Sequence, residues 1–234
     1  NFRIGGTGAW RIATGSDMAF QLWNGGAFAQ KGVLHGNTNV GQIDFTGQHR
    51  SKFSANNDTF LSEITNHIGL IVSSTGSYIG QVSIDEAIPC IELSNMANDK
   101  RVFGVISAGE DINSNTREYK QGAFGTVMDK EDGDSRVIIN SLGEGGIWVC
   151  DKNGELDNGD LITSSVYGYG QLQDDDLMHG YTVGKITQNS NFNEMASGRY
   201  LKGDGSLISQ TEYDTLKSNG SIAYKCKFVG CTYH

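Results

Sequence analysis

Three consecutive aspartates, Asp174, Asp175 and Asp176, stand just ahead of His179. Alternate residues of an extended chain face the same side, so Asp174 and Asp176 could share a cation and are the candidate metal ligands. Asp175 and His179 pair a carboxylate with an imidazole, which can orient the ring and favour its charged form. Two carboxylates are fewer oxygen ligands than a hard cation usually takes, and no EF-hand glycine spacing accompanies them. The alternative is a solvated acidic turn with a structural histidine.

A second group is Gln48-His49-Arg50-Ser51. A histidine two residues from a serine could serve as base for a nucleophile. Sequence neighbours rarely point at each other, however, and working dyads are assembled across a fold. The alternative is a polar loop bonded to its own backbone. If the chain cuts itself, His49, Ser51, Asp175 and His179 are the candidate catalytic residues. Tyr167 and Tyr169 are candidate ligand-binding residues, because aromatic rings stack on sugars, although Tyr167-Gly168-Tyr169-Gly170 also reads as an exposed turn. Trp10 and Trp23 lie in strand-like segments, where core or interface burial is the stronger reading. Glu110-Asp111 with Arg117-Glu118 reads as a charged surface loop.

The phosphate-cradling motifs GxGxxG and GxxxxGK[ST] do not occur, nor do HExxH or GxSxG, and no cofactor is expected. The four cysteines (Cys90, Cys150, Cys226, Cys231) form no CxxC pair, which removes zinc-ribbon and thioredoxin readings. Cys226 and Cys231 are five apart on one strand-like segment, so a bridge between them is disfavoured and buried free thiols are expected.

The elements that must position these groups are short strands. The chain has 32 glycines against one proline, Pro89, with no Gly-X-Y period. That composition fits many tight turns and excludes collagen. A net charge of −9 argues against a nucleic-acid backbone as partner. No apolar run approaches the roughly 20 residues of a membrane span. Period-two spacing marks Phe2/Ile4, Trp10/Ile12, Phe20/Leu22 and Ile43/Phe45. Further strands are expected over Ile68–Ser73, Tyr78–Ile84, Cys90–Leu93, Val102–Ser107, Ala123–Met128, Val137–Asn140, Gly146–Cys150 and Ile222–Val229. Turns are read at Asn98-Asp99, Asn153-Gly154, Asn158-Gly159 and Tyr169-Gly170. A short helix is possible over Asn57–Thr65. A better-marked one follows the capping box Ser209-x-x-Glu212 and closes at Asn219-Gly220.

The expected fold is mostly β: a Gly-rich β domain over residues 46–234, with one short C-terminal helix, preceded by a β-stem over residues 1–45. The stem has few long aliphatics with which to close a core of its own. It is expected to bury its apolar face against other copies or against the next domain.

Several blocks carry a resemblance. They are TGQHR (46–50), GLIVS (69–73), KRVFGVIS (100–107), RVIIN (136–140), EGGIW (144–148), NGDLITSS (158–165), GYG (168–170) and YTVGKIT (181–187). In this order they resemble the C-terminal β domains of phage tail-fibre and tailspike proteins. They also resemble fibre-like proteins of large algal DNA viruses. They resemble too the self-cleaving intramolecular-chaperone domain called peptidase G2, in which an acidic, aromatic block stands where this chain has TGQHRSKF. The resemblance implies a homotrimer at the end of a virion or extracellular fibre that brings three chains into register. In some relatives the domain is then cut off, so autoproteolysis is a second reading; a third is a fibre tip that binds a cell-surface glycan or receptor through tryptophans and acidic loops. Neither nucleic acid nor membrane is an expected partner.

Overall fold

A computed structural model describes residues 10–14, 17–23, 28–35, 48–54, 64–79, 88–109 and 136–234. The chain is mostly β, as its composition predicts. It divides into two compact units, Asn1–Phe45 with Thr116–Met128, and Thr46–Asn115 with Asp129–His234. The expected strands at Phe2/Ile4, Ile43/Phe45 and Ala123–Met128 lie outside the described residues.

The first unit holds an antiparallel sheet of β1 (Trp10–Thr14), β2 (Asp17–Trp23) and β3 (Phe28–His35) in that order. Its register follows the period-two pattern. Trp10 stands opposite Leu22 and Ile12 opposite Phe20, and β3 continues these rows with Ala29 and Gly32. Directly opposed positions share a face. The register therefore lines up the large apolar positions of β1 and β2 as cross-strand pairs.

The second unit contains two rings of strands. The first is a closed barrel, β4-β6-β5-β7-β8. Its strands are β4 (Gln48–Phe53), β5 (Ile71–Ile79), β6 (Ile88–Leu93), β7 (Val102–Gly109) and β8 (Arg136–Asn140). Helix α1 (Ile64–His67) precedes β5; residues 57–63 of the expected helix lie outside the described residues. Phe53, Val72, Ile91, Ile106, Val137 and Ile139 fill the barrel. Each such fully buried side chain stabilises by roughly 1.5–3 kcal/mol relative to exposure.

The second ring comes from a seven-stranded sheet, β12-β10-β11-β9-β15-β13-β14. These are β9 (Gly143–Cys150), β10 (Leu161–Ser164), β11 (Gly170–Leu172), β12 (Thr182–Ile186), β13 (Arg199–Lys202), β14 (Leu207–Ile208) and β15 (Ala223–Tyr233). β12 also pairs with β15, so five of the seven strands run full circle. Closure demands a close approach at Gly184, where a Cβ would stand 2.5 Å from the Thr232 carbonyl oxygen.

Strand alternation joins the two rings. On β5, Val72 enters the barrel core while Ile71 packs with Ile147, Val149, Ile162 and Val229 of the second ring. On β7, Ile106 and Val105 divide in the same way. β9 sends Ile147 and Val149 to that shared core and Trp148 and Cys150 to a third cluster with Leu70, Tyr169, Leu201 and Cys226.

Helix α2 (Gln210–Ser218) forms where the capping box places it. The Ser209 side chain accepts from the Glu212 N–H, and Gly220 takes a left-handed φ of 73°. The turn read at Tyr169-Gly170 lies two residues earlier. Tyr167 and Gly168 hold positive φ, Tyr169 is buried and Gly170 begins β11. Among the described residues no helix is long and apolar enough to cross a membrane.

Candidate functional site

The acidic turn after β11 is built around a buried glutamine. Gln173 Nε2 donates to the Asp175 carbonyl (3.0 Å), to Asp175 Oδ1 (3.1 Å) and to the Leu177 carbonyl (2.7 Å). Its Oε1 accepts from the Thr182 hydroxyl at 2.7 Å, and that hydroxyl accepts the His179 N–H at 3.0 Å. The turn is thus wound around one side chain. At its rim His179 Nε2 lies 2.9 and 3.0 Å from the two Asp175 carboxylate oxygens, with the ring stacked on Tyr181. The Leu177 backbone N–H, helped by His179, holds the Asp175 carboxyl below its ordinary value. Asp174 accepts from Asn153 at 3.1 Å, and Asp176 is exposed. Among the described residues no group of three or more His, Cys, Asp or Glu could hold a metal ion.

His49 and Ser51 lie on β4, in the other ring, opposite Ile139 and Val137 of β8. For His49 the structure describes the backbone pairing alone. Ser51 is fully buried, and its hydroxyl has no hydrogen-bond partner among the described residues. A residue expected in a polar loop is therefore a strand residue at the barrel core. The turn holding Asp175 and His179 and the strand holding His49 and Ser51 belong to different rings of strands.

Tyr169 and Tyr167 part company. Tyr169 is buried against Trp148 in an edge-to-face contact, ring centroids 6.4 Å apart. Tyr167, half-buried at φ 56°, donates to the Gly203 carbonyl at 3.3 Å. It also lines a pocket of about 470 Å³ with Glu92, Leu93, Asn95, Met96 and Arg101. Of the candidate residues read from the sequence, Tyr167 alone lines this pocket. Arg101 Nε and Nη2 clasp Asp99 at 3.0 and 2.9 Å, and Arg101 Nη1 reaches Glu92 at 3.3 Å. Nothing in the spacing of Glu92, Asn95 and Arg101 announces a shared cavity. The fold brings them together where the chain crosses from β6 to β7, which flank β5 on either side.

The cysteines are free, three of them buried, as expected. Cys226 stands directly opposite Cys150 across β15 and β9. Burial raises both thiols, and pushes Cys231 up to about 12. They stay protonated at neutral pH and are poor nucleophiles. No protein-family model matches the sequence, and no curated protein does.

Proposed function

We propose that this chain is a structural and assembly module of an extracellular or virion fibre, working as a homotrimer. The observation that carries the reading is the register of the first sheet, which aligns Trp10 with Leu22 and Ile12 with Phe20. Three strands are near the lower limit for independent stability, and such a row of apolar pairs needs cover. Sister copies arranged about an axis give each other that cover.

The second unit fits the role of a cap. All of its strands but β13 and β14 close into rings, which leaves few of the free edges along which β proteins pair indiscriminately. Intertwined β-stems have high contact order and fold slowly. A cap that associates first holds three stems at high local concentration and lets them find register.

Sedimentation velocity on the whole chain tests the reading, with Phe20→Glu as the variant. The wild type sediments as a trimer; the charge in the apolar row drives the variant toward monomer while its far-ultraviolet circular dichroism stays β. A trimer that ignores Phe20→Glu would remove the first sheet from the interface.

A further inference from the structure

Cys150 and Cys226 meet at the end of the ladder that joins β9 to β15. The two strands run antiparallel from Tyr233 opposite Gly143 to Cys226 opposite Cys150, where β9 stops. Directly opposed residues share a face, with Cα atoms about 4.5 or 5.5 Å apart according to their place in the hydrogen-bond pattern. Both spacings fall within the range of about 4.4–6.8 Å that a disulfide spans. The side chains bear out the shared face, since both pack with Leu70, Trp148, Tyr169 and Leu201. Neither remaining cysteine stands opposite this pair. Cys231 faces Gly145 across the ladder and packs in the core shared by the two rings, and Cys90 lies on β6 opposite Lys52.

We propose that Cys150 and Cys226 are a disulfide site, oxidised by exchange with a low-molecular-weight disulfide while the chain folds. The thiolate of one cysteine attacks a sulfur of the external disulfide, forms a mixed disulfide and releases one external thiol. The thiolate of the other attacks the protein sulfur of that mixed disulfide, forms the Cys150–Cys226 bond and releases the second external thiol. Two protein thiols are oxidised, one external disulfide is reduced to two thiols, and the two protons end on the departing sulfurs. The exchange belongs to folding because the folded chain shields both groups. Each cysteine is fully buried, and burial holds its thiol protonated and a poor nucleophile. Closing the bridge costs no strong contact. The Cys150 thiol makes a long one, 3.9 Å, to the Ser165 hydroxyl, and a thiol is a weak donor. The bond pins β9 to β15 beside the Lys225 N–H, which donates to Asp151 Oδ1 at 3.0 Å. It closes a loop that holds β10 to β14 and α2, much of the second ring. The inference stands independently of oligomeric state.

The test refolds the whole reduced chain in equal amounts of oxidised and reduced glutathione, blocks the remaining thiols with iodoacetamide in urea and maps the peptides without reduction. The Cys150 and Cys226 peptides emerge joined, and Cys90 and Cys231 emerge alkylated. The bridged chain melts roughly 10 °C above the chain refolded in reductant, as closure of a long loop predicts, and Cys226→Ala abolishes the difference. The folded, reduced chain in the same buffer forms the bridge roughly tenfold more slowly than the refolding chain, because its thiols are shielded. Alkylation of both Cys150 and Cys226 after refolding, or a bridge joining any other pair, would overturn the inference. So would a melting difference that survives in Cys226→Ala, or bridging as fast in the folded chain as in the refolding one. Should Cys226→Ala not fold, the peptide map of the wild type decides by itself.

Discussion

Asp99 and Arg101 form a two-pronged ion pair of unequal exposure. The Asp99 side chain is 2% exposed, whereas Arg101 is 46% exposed. Burial alone would raise the Asp99 carboxyl. The Arg101 guanidinium and backbone N–H, with the Ser73 hydroxyl, outweigh it and hold the group below its ordinary value. An acid so placed depends on partners that tie the loop after β6 to β5 and β7.

Arg101→Ala leaves that carboxylate buried without its main counter-charge. It lowers the urea midpoint at neutral pH far more than Glu92→Gln, which removes only the exposed arm of the cluster. The sign of the pH dependence follows. In the wild type the Asp99 contribution is complete above the ordinary value of 3.8 and is lost as pH falls through the lower folded value. Arg101→Ala removes the guanidinium but keeps the backbone N–H and Ser73, so the carboxyl titrates above its wild-type folded value and protonation relieves part of the defect. Paired urea titrations therefore show the largest gap near neutrality and a narrowing gap as the solution is acidified below about pH 5.

Gly184→Ala tests closure of the second ring. The new methyl meets the Thr232 carbonyl oxygen of β15, a backbone atom that cannot swing aside. The expected loss is about 2 kcal/mol, typical of overpacking, read from the urea midpoint. Faster amide exchange at Lys185 and Ile186, which face Thr232 and Cys231 in the ladder, accompanies it.

Asp175→Asn separates a loop-holding role from a global one. The carboxylate accepts the Leu177 N–H at 3.0 Å and faces His179 on the surface. Hydrogen exchange at Leu177 quickens while the melting temperature stays within about a degree, in keeping with an exposed pair. Because the folded carboxyl is held below 3.8, the wild-type protection persists above that value and fades as pH falls through the folded one.

Ser209→Ala removes the acceptor that caps α2. The cost is about 1 kcal/mol, measured by thermal or chemical melts, and Ser209→Asp recovers most of it.

Local chemistry made much of this fold legible. Ser209 and Glu212 announce α2, and the Trp10/Ile12 and Phe20/Leu22 spacings announce β1 and β2, because capping and strand alternation act over a few residues. The glycine turns at Gly154 and Gly159 follow for the same reason. Ser51 shows where local reading stops. A polar run gave no sign that its serine would stand fully buried beside a barrel core, since only the pairing with β8, more than eighty residues away, puts it there. The pocket was legible only in Tyr167, a candidate ligand-binding residue in the sequence. Glu92, Asn95 and Arg101 come from one stretch, but Tyr167 joins them through a turn of the other ring, with a left-handed backbone and a ring packed on Gly205 that no dipeptide rule contains. The Asp175–His179 pair was visible as spacing, yet Gln173, which organises the turn, was not.

Native mass spectrometry of the intact chain, over a dilution series at neutral pH, addresses the assembly role most directly. A dominant species at three times the 25.3 kDa chain mass, persisting on dilution, is the predicted result. A species at the single-chain mass across the whole series, with every strand of the first sheet protected from hydrogen exchange, would contradict it.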